Sequence, residues 1–384
     1  MRLSEIYRPK NLKKSNGPDS VHLKKPVPVR ELASRPSATV QFRKFPAPNL
    51  PQPSETPNVS FEPLEHKAPN VYAQLIHLSE DILSGLSATP MKLPDLEALC
   101  EGIGSVIESL EQDSSPLLEL TERSTPDDHL PGHIANVTIL SIALSQEMNW
   151  VKDVQRSVGL GAMLHDVGLV FHRTPISDSQ ALDENQINSL RHLPKDALES
   201  LKKFLESLAP ASRNVVTNIL LQSQKRILRR GTPQPTNLPE TPIEAQVVGL
   251  CDSYEAISHP RPHRKRKIAH ESLRYLIELA GQEFDGILLK KLWSTLTLFP
   301  PGSFVQLNTG EIARVVKINK TLPTRPIIKV VATSAKGDRI SSDKIIDLAQ
   351  MPGIAIEKAV DECSLELSDL RLLLELRAQK WWVQ

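Results

Sequence analysis

The chain has 384 residues, with 46 Lys and Arg against 45 Asp and Glu and a formal net charge of +1, so it has room for one large core with appendages and is not a polyelectrolyte built for nucleic acid, of which no specific binding is expected. Its three cysteines, Cys100, Cys251 and Cys363, are odd in number and far apart, which excludes a disulfide framework or zinc-ligand pairs and favours a reducing compartment. No run approaches the roughly 18 apolar residues of a membrane span, and Met1-Arg2-Leu3-Ser4 leads into charges and prolines rather than an apolar signal segment, so the expected location is the cytoplasm.

Residues 1–69 are rich in Lys, Ser and Pro and bury too little apolar surface to offset their ordering entropy, which predicts a disordered tail. Met1 to Lys44 holds eleven Lys or Arg and three Asp or Glu, a basic arm that is either a plain linker or a docking segment for a protein partner. Val71, Leu75, Leu78, Ile82 and Leu86 then recur at helical spacing, and a second helix is predicted over Leu96–Leu110 with Pro94 and Asp95 at its start. Helices follow over Ile134–Met148, Val154–His165, Leu182–Arg191, Lys195–Leu208 and Asn214–Leu228. A Pro-rich loop from Gly231 to Pro242 precedes helices at Ile243–Ile257, Ile268–Ala280 and Gly286–Leu298. After Pro300-Pro301-Gly302 the period changes: Val305/Leu307, Ile312–Ile318 and Ile327–Val331 read as strands, with Asn308-Thr309-Gly310 as a hairpin turn. Leu365–Trp382 reads as a helix ending in Trp381-Trp382, which packs back on the body or marks a docking surface. The expected fold class is mainly α. Its divisions are a disordered tail (1–69), an N-terminal helical part (70–126), a main helical domain (127–298), a small β extension (299–350) and a C-terminal helical tail (351–384).

Four residues carry the most chemistry: His133, the adjacent pair His165-Asp166, and Asp252, all on predicted helices or helix ends. Imidazole and carboxylate suit Fe, Mn or Zn, and two His with two Asp around one ion leave positions for water or a phosphate oxygen. That is the equipment of metal-assisted phosphoester hydrolysis. Singly, each residue has a plainer explanation, since helical histidines are commonly core or surface residues and Asp252 can cap a turn. Arg261, Arg264, Lys265, Arg266 and Lys267 form a basic cluster after Asp252, which is either a solvated face or a weak phosphate-binding surface.

The order His…His-Asp…Asp in an all-helical segment resembles the HD superfamily. Pro131-Gly132-His133, Leu164-His165-Asp166-Val167-Gly168, Arg191-His192-Leu193-Pro194, Cys251-Asp252-Ser253-Tyr254-Glu255-Ala256 and Arg261-Pro262-His263-Arg264 together resemble HD-GYP domains. Phe299-Pro300-Pro301-Gly302 and Leu307-Asn308-Thr309-Gly310-Glu311 resemble the short β extension that often follows them. The similarity runs over about 71–350. It implies an HD-superfamily helical bundle related to cyclic di-GMP phosphodiesterases. One metal would sit on His133, His165, Asp166 and Asp252, with Asp166 the catalytic and shared ligand, and His192 would be a further metal ligand.

The sequence also departs from that family. Ser223, Gln224 and Lys225 stand where a His-His-Glu triplet supplies two more ligands, Thr232 replaces the tyrosine of Gly-Tyr-Pro, and Leu169 replaces a phosphate-holding lysine. Losing that cation is expected to cost roughly two to three orders of magnitude in rate, by analogy with an oxyanion donor. Serine and glutamine bind Fe or Mn more weakly than imidazole, so one divalent ion is expected and a second is not. His172 and His129 are weaker candidates as extra ligands. The preferred reading is a degenerate signalling module, weakly active or inactive, that binds cyclic di-GMP, another nucleotide or a protein partner. An active single-metal phosphohydrolase acting on cyclic di-GMP or another phosphoester is the alternative, and a metal-free helical scaffold is the third reading.

Overall fold

The computed structural model describes residues 67–88, 92–123, 130–170, 195, 197–223, 241–260, 266–280, 284–334, 344–367 and 369–378. The tail before residue 67, the helix expected at Leu182–Arg191 and the Trp381-Trp382 pair lie outside them.

The apolar stripe that begins at Val71 forms α1 (Ala68–Ser87), which buries Leu75, Leu78, Ile82 and Leu86 on one side. Next come α2 (Leu96–Gln112) and the short α3 (Ser114–Leu120), whose first turn is capped by the Asp113 side chain accepting from the Ser115 amide. The central element is α4 (Leu130–Glu147), in which every residue from Pro131 to Ser145 is buried. A helix apolar on all sides needs neighbours on all sides, and α4 packs against α5 (Lys152–Leu164), α1, α9 (Ile243–Ser258) and α11 (Gly286–Leu296). Between α5 and α9 lie α6 (Val167–Val170), α7 (Lys202–Ser207) and α8 (Pro210–Gln222); α10 (Ala269–Glu278) precedes α11. These helices share one apolar core, so the boundary expected near 126 does not separate two cores: Leu75 and Ile103 are buried in the same cluster as Leu140 and Val248.

The period change after Pro300 yields an antiparallel sheet of five strands in the order β4-β3-β2-β1-β5. Its strands are β1 (Phe304–Leu307), β2 (Ile312–Lys317), β3 (Ile327–Ala332), β4 (Ile345–Asp347) and β5 (Ile356–Val360). Gly310, at φ +93, makes the β1–β2 turn that the sequence announces. Alternation sends Val305, Leu307, Val315, Ile328 and Val330 to one face and Phe304 and Ile312 to the other; a register shift at Ile312/Ala313 brings Ala332 to that second face too, where Leu372 and Leu376 of α12 (Leu370–Ala378) cover them. The expected boundary at 350 therefore falls inside the sheet: β5 pairs with β1, and the segment from 351 onward is not a helical tail throughout. Strand β5 escaped the sequence reading because its burial is only partial and its residues, Ile-Glu-Lys-Ala-Val, carry little apolar alternation.

The sheet is tied to the helices by ion pairs. Lys317 reaches Asp113 at 2.7 Å, Arg314 pairs with Glu119, and the guanidinium of Arg266 holds Asp361 at 2.9 Å together with the buried Glu362. No described helix is long and apolar enough to cross a membrane.

Candidate metal centre

His133 lies in the first turn of α4, His165 caps α5 with Asp166 next to it, and Asp252 lies two-thirds along α9. All are buried, because α4 is the hub against which α5 and α9 pack. The Nε2 atom of His133 is the centre of the group. It stands 3.2 Å from Nε2 of His165, 3.1 Å from Oδ2 of Asp166 and 3.7 Å from Oδ1 of Asp252. His165 Nε2 is in turn 3.4 Å from Asp166 Oδ1, and the two imidazoles meet edge to face. His133, His165 and Asp166 thus form one group whose ligand atoms lie within 4.8 Å of one another, and Asp252 approaches that group at His133.

The donor set fits a metal ion on two counts. First, Nδ1 of His165 lies 2.7 Å from the carbonyl of Ala162, an acceptor that fixes the proton on Nδ1 and leaves the Nε2 lone pair pointing into the cluster. Second, the spacing is right for three of the donors: ligand atoms about 2.1 Å from a common ion stand roughly 3.0 to 3.4 Å from each other in octahedral or tetrahedral arrangements, matching the 3.1–3.4 Å among His133, His165 and Asp166.

The remaining positions divide. Ser223, where the resemblance expects an imidazole, caps the end of α8; it is buried, and its Oγ has no hydrogen-bond partner among the described residues. The α8 terminus presses on α9 at Gly249, where an added Cβ would lie 2.5 Å from the Ser223 carbonyl oxygen, so Ser223 sits about one turn along α9 from Asp252. Leu169 lies in α6, directly behind the His-Asp dyad in sequence. His129, His172, His192, Gln224, Lys225, Thr232, Arg261, Arg264 and Lys265 lie outside the described residues.

Two residues that sequence reasoning had not singled out join the site. Glu255 Oε2 is 3.2 Å from Nδ1 of His133, and Glu255 Oε1 is 3.7 Å from Nδ1 of His259. The signal was available, since Asp252, Glu255 and His259 follow one another at i, i+3 and i+7, one face of a helix. Beside them Tyr254 donates to Glu122 Oε1 at 3.3 Å. Burial first, and then the negative charge of Glu122, push the Tyr254 phenol well above its ordinary range, so it stays a donor and fastens α9 to the segment after α3.

Comparison with known proteins gives this geometry a family. The model of the HD domain matches residues 71–288, and that of a KOW domain associated with HD domains matches residues 304–368. Among curated proteins, a cyclic di-GMP phosphodiesterase of Pseudomonas aeruginosa is 27% identical over 237 residues, covering 61% of this chain and 55% of that protein. The cyclic di-GMP phosphodiesterase PdeB of Borreliella burgdorferi is 25% identical over 236 residues, 61% of either chain. This chain therefore matches little more than half the length of these relatives. Of solved structures, the HDG"Y"P protein Bd1817 of Bdellovibrio bacteriovorus aligns over 61% of this chain and 73% of its own at 15% identity and a TM-score of 0.45. The HD domain match spans more than half of the sequence and takes in each of the converging residues, and on that ground the chain belongs to the HD domain family.

Proposed function

We propose that this chain is a signalling module that binds a cyclic dinucleotide of the cyclic di-GMP type at a one-metal centre and hydrolyses it slowly or not at all. The observation that carries the reading is one further imidazole and two carboxylates within 3.1–3.7 Å of His133 Nε2. His133, His165, Asp166 and Asp252 would hold a single Fe, Mn or Zn ion. When bound, such an ion neutralises charge on a phosphoryl group and acidifies a coordinated water. The chain's own contribution is to present the donors from three rigid, buried helices and to keep bulk water from the cluster. Arg261, Arg264 and Lys265, which follow Asp252 in sequence, are assigned to the ligand's phosphates. The relatives' names supply the ligand class, and Ser223 and Leu169, in place of an imidazole and a cation, supply the reason for slow turnover. A cytoplasmic setting fits three free cysteines. The basic arm before Lys44 is assigned to contact with a protein partner.

A second reading, an active single-metal phosphohydrolase, is favoured by the completeness of the four-donor set. One measurement tests the single ion that both readings share, and a second separates the readings. Elemental analysis of the purified chain should give close to one Fe, Mn or Zn, falling sharply in Asp166→Ala; two or more ions per chain would refute the one-metal centre. Chromatography of cyclic di-GMP incubated with the chain and Mn²⁺ or Fe²⁺ should show binding with little conversion, whereas rapid conversion abolished by Asp166→Ala establishes the active enzyme.

A further inference from the structure

The metal-facing atom of His133 is useful only if its other nitrogen carries the proton. Imidazole has two tautomers, and the partner of one nitrogen decides which lone pair is free. For His165 that partner is a backbone carbonyl, rigid by construction. For His133 it is a side chain: the carboxylate of Glu255, with Oε2 3.2 Å from Nδ1, in a contact whose two members are 0% and 2% exposed. We infer that Glu255 is a positioning residue for the metal centre, which holds the proton of His133 on Nδ1 and turns Nε2 toward His165, Asp166 and Asp252. This inference rests on the metal-site reading above and adds a residue to it.

The geometry around Glu255 supports that role in three ways. A buried carboxylate requires a donor, and His133 Nδ1 faces Oε2 at 3.2 Å; Nε2 faces Asp166 at 3.1 Å, so an ion on the Nε2 side leaves Nδ1 to carry the proton toward Glu255. The other oxygen, Oε1, faces His259 Nδ1 at 3.7 Å, so the carboxylate lies between two rings. His259 is itself pinned, since its Nε2 donates to the carbonyl of Thr121 at 2.8 Å and its Nδ1 lies 2.9 Å from the carbonyl of Glu255. Asn136, one turn after His133 on α4, lies 3.4 Å from the same ring, donates to the Arg123 carbonyl and accepts from Tyr72 at 2.7 Å. A chain of contacts thus runs from the end of α3 and from α1 through His259 and Glu255 to His133. A negative charge at that point also makes the imidazole a stronger donor to a cation. Because Asp252 and Glu255 share one face of α9, a single helix delivers both a proposed ligand and the group that orients another.

The test uses the full chain and Mn²⁺ alone, with free Mn²⁺ read by electron paramagnetic resonance. Glu255→Gln keeps the shape and removes the charge. It is expected to weaken Mn²⁺ binding by roughly ten- to a hundredfold, the range for losing a partner that orients a metal ligand, while the far-UV dichroism stays that of the wild type. Glu255→Asp, which keeps the charge, is expected to recover part of the loss. Equal Mn²⁺ binding by the wild type and Glu255→Gln overturns the inference. Nitrogen-15 NMR of histidine-labelled wild type loaded with Zn²⁺, which takes the Nε2 side that Asp166 faces at 3.1 Å in the ion-free chain, is the independent check, with His133 assigned by its loss in His133→Gln. The expected form carries the proton on Nδ1; a proton on Nε2 overturns the inference even if Glu255→Gln does not fold. If the wild type binds neither Mn²⁺ nor Zn²⁺, the one-metal reading fails and this inference with it, whereas ion binding that is unchanged in Glu255→Gln overturns the inference alone.

Discussion

Gly249→Ala is the substitution that most directly probes how the fold sets the site. An alanine Cβ there would stand 2.5 Å from the carbonyl oxygen of Ser223, a backbone atom that cannot rotate away. Relieving that overlap means moving the end of α8 from α9 by half an ångström or more, which as overpacking costs about 1–3 kcal/mol. Helix propensity offsets about 1 kcal/mol of it, because alanine is the better helix former. Gly104, on α2, is the internal control, since an added Cβ there meets nothing within 4 Å and should only gain. The expected order is Gly104→Ala more stable than the wild type by up to ~1 kcal/mol and Gly249→Ala less stable by up to about 2 kcal/mol, a gap of several degrees in Tm. Urea denaturation followed by far-UV dichroism measures both. Asp252 is one turn further along α9, so Gly249→Ala should also weaken Mn²⁺ binding, whereas Gly104→Ala should not. Gly249→Ala matching Gly104→Ala in both respects would refute the close approach of α8 and α9.

Other expectations follow from particular contacts. Arg266→Ala strands Glu362, whose side chain is 4% exposed, and should cost about 3–5 kcal/mol as an uncompensated buried charge; urea denaturation checks the loss, and Arg266→Met paired with Glu362→Gln should recover much of it. Burial alone would raise the carboxyl of Asp113, but Lys317 at 2.7 Å and the Ser115 amide outweigh it and hold it below the usual range. The stability this contributes is full above the unfolded pKa of about 3.9 and is lost as pH falls through the lower folded value. Asp113→Asn should accordingly flatten the acid limb of a Tm-against-pH curve. Cys251, with burial pushing its thiol up to about 12, should resist a disulfide reagent in the native chain, while the exposed Cys100 and Cys363 react. Titration should count two thiols before denaturant and three after it.

Much of the helical body was legible because its stripes are regular. Leu75, Leu78, Ile82 and Leu86 announce α1, and the helices carrying the quartet were placed to within a few residues. The quartet itself was legible only as an ordered set, since nothing local distinguishes Asp252 from a turn-capping aspartate. Glu255 and His259 show in the sequence only as sharing a helix face with Asp252, and what they meet does not show. Their importance lies in contacts to residues more than a hundred positions away, His133 and Thr121, which periodicity does not encode. The single core shared by α1 through α11 was likewise invisible to a reading that took each stripe by itself. On the β side, β4 and β5 are short and partly exposed and gave no alternation strong enough to set against loop.

The interior position of the cluster weighs against the metal-free scaffold. A helix buried on every side, such as α4, gains most from apolar residues, and replacing a buried ionic group by well-packed apolar side chains is neutral or stabilising by about 1–4 kcal/mol in measured cases. His133, Asp166 and Asp252 instead bring two carboxylates to within 3.7 Å of one imidazole nitrogen in the core, where burying charged groups is costly without a cation. A scaffold gains nothing from that expense, whereas an ion bound by the folded chain alone returns it as stability. The replaced positions have a different character. Leu169 follows the dyad in a single-turn helix and Ser223 closes α8, so both lie at element ends, while the quartet is delivered by α4, α9 and the α5 terminus packed against them. Loss of a cation and an imidazole at those ends leaves the first ion's donors intact and removes groups that would meet the charge developing on the phosphate. On the proposed reading, ion binding and turnover come apart in this chain. Adding Leu169→Lys should raise the turnover of cyclic di-GMP while leaving the metal content at one, and a gain in bound metal without a gain in rate would contradict that division.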